Sequence, residues 1–140
     1  MRKWMRIGGF AALAAVALVF LSCLTETPVS IATRISDFVT SLNGDRTDTY
    51  KNLNSSIAAY QAAATPTYWD THFATTDEPF SVDTSALNIS DPTDVLATIS
   101  YGGGLNKQYK FNMINTGVTA EVWYIDDISV LVSSTWTSIF

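Results

Sequence analysis

The sequence predicts an α+β domain, with N-terminal helices packed on one face of a curved antiparallel sheet of about four strands. Apolar residues recur at three- and four-residue steps before Pro79 and at two-residue steps after it. Helices first and hairpin-linked strands afterwards build that architecture. No cysteine follows Cys23, so no disulfide can brace the fold and the apolar core must hold it alone.

Each element follows from local chemistry. Residues 23–27 read as a tether. Thr27-Pro28 then reads as a helix start, with Thr as N-cap and Pro at the first helical position. Ile31, Ile35, Phe38, Val39 and Leu42 form the buried face, and Asn43-Gly44 supplies the stop. From Asp45 to Ala64 the apolar positions Tyr50, Leu53, Ile57 and Tyr60 continue at helical steps. Asn52, Asn54, Ser55 and Ser56 weaken the middle, so two shorter helices broken near Asn54-Ser55 are expected. Thr65-Pro66 repeats the cap-and-proline signal and opens a short helix through Tyr68, Trp69 and Phe73.

Strands follow. Phe80 and Val82 alternate, then Leu87 and Ile89, then Val95 to Tyr101, and Gly102-Gly103-Gly104 supplies a hairpin. Tyr109, Phe111 and Met113 alternate with Lys110 and Asn112. Asn115-Thr-Gly117 turns the chain into a long strand over Val118–Val132. Its parity changes at Asp126-Asp127, which predicts a bulge there. Residues 133–140 show no periodicity and read as a C-terminal tail, so the domain is expected over 28–132.

The order of these elements, with Tyr68-Trp-Asp-Thr-His-Phe73 closing the helices and Val122-Trp-Tyr-Ile-Asp-Asp-Ile128 closing the strands, resembles the nuclear transport factor 2-like superfamily. The resemblance implies a cone-shaped domain enclosing a pocket. It extends to isomerases, cyclases, transport factors and proteins without activity, so function must be argued from a site.

The N-terminus carries its own signal. Arg2, Lys3 and Arg6 precede the apolar run from Phe10 to Cys23, the order of an export signal. Ser22 sits just before the sulfur, with Leu21 behind it and Phe20 where leucine is usual. This resembles the lipobox of bacterial lipoproteins, which implies cleavage between Ser22 and Cys23 and lipidation of Cys23. Residues 1–22 would then be the signal peptide, and the domain an exported, membrane-anchored component of the cell envelope. The covalent diacylglyceryl and N-acyl groups would be its only attached groups. One acyl chain holds marginally and two or three hold stably, at about 0.8 kcal/mol per buried methylene. An uncleaved signal anchor over Ile7–Leu24 would export the domain equally.

Charge divides at the same boundary. Five basic residues remain after Cys23 against all 13 acidic ones, a formal −8. Such a surface is repelled by phosphate backbones, so no nucleic-acid partner is expected. It gains nothing from anionic headgroups, so membrane attachment rests on the lipid.

Candidate chemistry is sparse. His72 is the only histidine; with Asp70 it could form a base and its orienting carboxylate, but an i,i+2 helical pair points to different sides. One histidine and no free cysteine leave no expected metal site. Asp126 and Asp127 face opposite sides of a strand, so one could enter a pocket as an acid or base, or both could guard a bulged edge. Tyr101, Tyr109, Phe111, Trp123 and Tyr124 could pack the core or line a small-molecule pocket. Three functions follow: a module binding a small apolar ligand or another envelope protein, a small pocket enzyme of isomerase or cyclase type, and a structural component that forms homodimers through its sheet.

Overall fold

Ser30, not Thr27, opens the first helix. In a computed structural model, which describes residues 26–140, α1 spans Ile31–Ser41, and the Ser30 hydroxyl accepts the Thr33 N–H at 3.1 Å. The sequence signal at Thr27-Pro28 is overridden because the chain stays extended through Val29. The Val29 N–H donates to Glu121 O at 2.9 Å and its carbonyl accepts the Trp123 N–H at 3.1 Å. The expectations for residues 1–25, including the Ser22–Cys23 junction and the first part of the tether, lie outside the described residues.

The α1 face is as the spacing predicts, with Ile31, Ile35, Phe38 and Val39 buried and Leu42 just beyond. The helix stops at Ser41, and Gly44 takes the left-handed φ of 103°. Asn43 then ties the helix end to the strands, donating to Phe80 O at 3.0 Å and accepting the Phe80 N–H at 2.7 Å.

The 45–64 region breaks where expected but into less helix. A 3₁₀ turn covers Thr49–Asn52 and α2 only Tyr60–Ala63. Between them Asn54 turns the chain: its side-chain oxygen accepts the Ser56 N–H at 3.1 Å. Helix α3 spans Pro66–Asp70, with the proline at its start.

The sheet is a five-stranded antiparallel meander, in the order β1-β2-β3-β4-β5. Strand β1 is Ser81–Val82, β2 Val95–Ser100, β3 Asn106–Asn115, β4 Trp123–Val132 and β5 Thr135–Ser138. The strand expected around Leu87 and Ile89 is a 3₁₀ turn at Thr84–Ala86 and a single bridge from Asn88 to Leu96. The glycine hairpin after β2 forms, and a side chain on Gly102 would lie 2.2 Å from Glu78 O. Strand β4 begins later than expected because 117–120 folds tightly; a Cβ on Gly117 would lie 1.8 Å from Ala120 O. Asn112 faces Asp127 and Met113 faces Ile125, which leaves Asp126 unopposed, so the predicted bulge is present.

The C-terminal tail reading is corrected. Residues 133–140 supply β5, and the core includes Ile139, whose N–H donates to Ile128 O at 2.9 Å. The sheet therefore has five strands rather than four.

The interior is aromatic. Phe38 meets Trp69, Phe73 and Phe111 edge-on at centroid distances of 5.4, 6.0 and 5.9 Å, and all four are fully buried. Each such side chain contributes about 1.5–3 kcal/mol by burial.

Candidate functional site

Three of the five strand aromatics belong to the core. Tyr101, Tyr109 and Phe111 are buried, and the two tyrosine hydroxyls share a hydrogen bond of 2.6 Å. Burial first, and the Tyr101 hydroxyl second, push Tyr109 far above the ordinary tyrosine range. Trp123 and Tyr124 are half-buried and lie at the other end of the sheet, at the start of β4.

The strand carboxylates are engaged in structure. Asp126 accepts the Asn54 side-chain amide at 2.7 Å. Asp127 accepts the Ser138 hydroxyl at 2.6 Å and the Ser129 hydroxyl at 3.2 Å, joining β4 to β5. These bonds fit the reading in which the pair shapes a bulged edge.

His72 and Asp70 do not form a dyad. Asp70 turns to Arg46 at 2.7 Å, and His72 packs half-buried against the Tyr68 ring at 5.3 Å. Desolvation holds the His72 imidazole below its ordinary range, favouring the neutral ring. Among the described residues no group of three or more His, Cys, Asp or Glu side chains could hold a metal ion.

The sequence reading missed Arg46. It is 2% exposed, at φ 60°, and it donates to Leu42 O, Phe73 O, Asp70 Oδ1 and Glu78 Oε1. One guanidinium thus joins the end of α1, the end of α3 and the loop leading into β1. Each of its three guanidinium nitrogens is already bonded within the fold, so Arg46 is a structural hub rather than a site.

Arg34 is different. Its Nε donates to Trp123 O at 2.7 Å and Nη1 to Asn52 Oδ1 at 3.3 Å, and its guanidinium lies 4.2 Å from the centre of the Tyr124 ring. Arg46, Lys51 and Lys110 each meet a carboxylate, but among the described residues Arg34 has none within ion-pair distance. Arg34 lines a cleft of about 320 Å³ with Glu26, Val29, Gly117, Val122 and Tyr124. At its rim, Glu26 Oε2 accepts the N–H groups of Val118, Thr119 and Ala120 at 2.8, 2.9 and 3.2 Å. These bonds, Thr119 first, hold the Glu26 carboxyl below its ordinary range. No sequence signal could pair Glu26 with a loop more than 90 residues away.

Compared with family models, curated proteins and solved structures, the chain has no match. No helix among the described residues is long and apolar enough to cross a membrane.

Proposed function

We propose that this chain is an exported, lipid-anchored protein of the bacterial cell envelope whose domain, nuclear transport factor 2-like in plan, is a binding module. The observation that carries this reading is the charge and hydropathy order at the N-terminus. Arg2, Lys3 and Arg6 precede an apolar run ending in the lone cysteine, and every acidic residue follows it. The helices-first α+β arrangement supports the domain assignment.

The place of Glu26 in the fold is compatible with attachment at Cys23. Glu26 is pinned to the 118–120 loop, and Cys23 stands three residues before it. Three residues reach at most about 10 Å, so an acyl group on Cys23 would hold this end of the domain close to the bilayer. Binding is favoured over catalysis because Asp126 and Asp127 are committed to hydrogen bonds and, among the described residues, His72 meets the Tyr68 ring and no carboxylate.

Growth with labelled fatty acid tests the anchor. Label is expected in the native chain and lost in Cys23→Ala, with the mature mass beginning at a lipidated Cys23. A native chain that retains Met1 and carries no fatty acid overturns the reading.

A further inference from the structure

We propose that the Arg34–Glu26 cleft binds a small zwitterion, an anionic phosphodiester joined to a primary ammonium, as in an ethanolamine phosphodiester. The anion-binding half is Arg34. The two N–H groups of Nη2 make no hydrogen bond among the described residues, and a guanidinium edge matches phosphate oxygens. Trp123 O, Asn52 and the Tyr124 ring hold the guanidinium in place, so little ordering remains to be done on binding.

The ammonium-binding half is Glu26. Its Oε2 accepts all three loop N–H bonds, while Oε1 enters none of them. The same bonds keep the carboxylate ionised. Total charge selects between ligand types. A formal −8 over residues 23–140 repels a free anion, whereas a zwitterion carries no net charge and feels only the local pair. About 320 Å³ is at the small end for ligand sites, which suits a headgroup rather than an extended molecule.

Two sources share this chemistry: a soluble phosphodiester, or the headgroup of phosphatidylethanolamine in a bilayer. Only the bilayer source rests on the anchoring reading.

The mature protein in detergent, labelled at arginine and backbone nitrogen, is titrated with glycerophosphoethanolamine. The Arg34 Nε signal and the amides of 118–120 are expected to shift saturably, while buried Arg46 stays fixed as an internal reference. Glycerophosphoglycerol, a phosphodiester that lacks the ammonium, is expected to bind about tenfold more weakly. Arg34→Gln should abolish saturation. Glu26→Gln, which keeps the loop's acceptor, should remove the preference for the ammonium-bearing ligand, and this variant decides the matter if Arg34→Gln fails to fold. Absence of a saturable Arg34 shift, or an unchanged preference in Glu26→Gln, overturns the site. In nanodiscs, the same shifts with phosphatidylethanolamine but not phosphatidylglycerol support the bilayer source; their absence overturns that source. An unlipidated Cys23 beside a positive titration would overturn the anchor and leave the site standing.

Discussion

Asn54 donates its side-chain amide to Asp126 at 2.7 Å, at the one point where β3 and β4 slip out of register. The Asn54 backbone N–H also donates to Ile125 O at 2.7 Å, and Leu53 pairs with Ile125. The bulge is therefore clamped from the helical side. Asn54 is 8% exposed, so its amide has little water to fall back on. Asn54→Ala is expected to cost about 1.5–3 kcal/mol, the range for a hydrogen bond to a charged group, read as a lowered urea midpoint. Asp126→Asn should cost less, because its side-chain carbonyl can still accept.

Arg46 is expected to be far less replaceable than either of its acidic partners. Its side chain is 1% exposed, against 46% for Asp70 and 26% for Glu78. Arg46→Met strands the Glu78 carboxylate and the Leu42 and Phe73 carbonyls together, an expected loss of about 3 kcal/mol or more. Arg46→Lys should recover little, since one ammonium cannot span acceptors arranged for a five-donor fork. Asp70→Asn, at a half-exposed position, should cost less than about 1 kcal/mol.

What the sequence made legible, and what it hid, divides by the range of the interaction. The α1 face and the parity change at Asp126-Asp127 were readable because periodicity reports which side is buried. The cap-and-proline signal shows the limit of local rules. Its proline opens α3 at Pro66, although the Thr65 hydroxyl turns back to Ala62 O instead of capping, and it fails at Thr27-Pro28, where Val29 gains two backbone bonds beside the start of β4. Arg46 was hidden because all but one of the acceptors it meets lie 24, 27 and 32 residues away. The cleft was hidden for the same reason, since Glu26 meets its loop across more than 90 residues.

Strand β5 was missed through its turn. Val132 pairs with Thr135, so only Ser133 and Ser134 form the loop, at φ 48° and 67°. Two left-handed residues make the type I′ turn, which usually announces itself as Asn-Gly. Serine gives no such signal and bears a steric cost there. Ser133→Asn with Ser134→Gly is expected to stabilise the domain by about 1 kcal/mol, raising the urea midpoint with an unchanged slope. Unchanged or lowered stability would count against this turn geometry.

Four groups set an acid-side dependence: His72, Glu26 and, through their hydrogen bonds from Ser85 and Thr93, Asp83 and Asp91. Both His72 and Glu26 have folded pKa values below their ordinary 6.5 and 4.5, so the unfolded chain binds more protons in each window. The His72 contribution is complete above pH 6.5 and is lost as pH falls below it through the folded value. The Glu26 contribution is complete above pH 4.5 and is lost on further acidification, with the 118–120 loop released. Stability measured against pH is expected to lose the upper step in His72→Phe, and to keep a smaller lower step in Glu26→Gln, carried by Asp83 and Asp91. Amide signals of Val118, Thr119 and Ala120 should follow the lower step alone.

The buried Tyr101–Tyr109 pair sets the opposite, alkaline dependence. Burial and the Tyr101 hydroxyl raise Tyr109 above its ordinary 10, so its contribution is complete below pH 10 and is lost as pH climbs toward the folded value. Ultraviolet titration is therefore expected to show Tyr109 ionising together with unfolding rather than before it. Tyr109→Phe leaves the Tyr101 hydroxyl buried without its 2.6 Å partner, at a cost of about 1–3 kcal/mol. Replacing both tyrosines by phenylalanine removes the orphaned group as well. The double variant should accordingly be more stable than the sum of the single losses, a coupling of about 0.5 kcal/mol or more. Additive losses would mean that the two hydroxyls do not share that bond in solution.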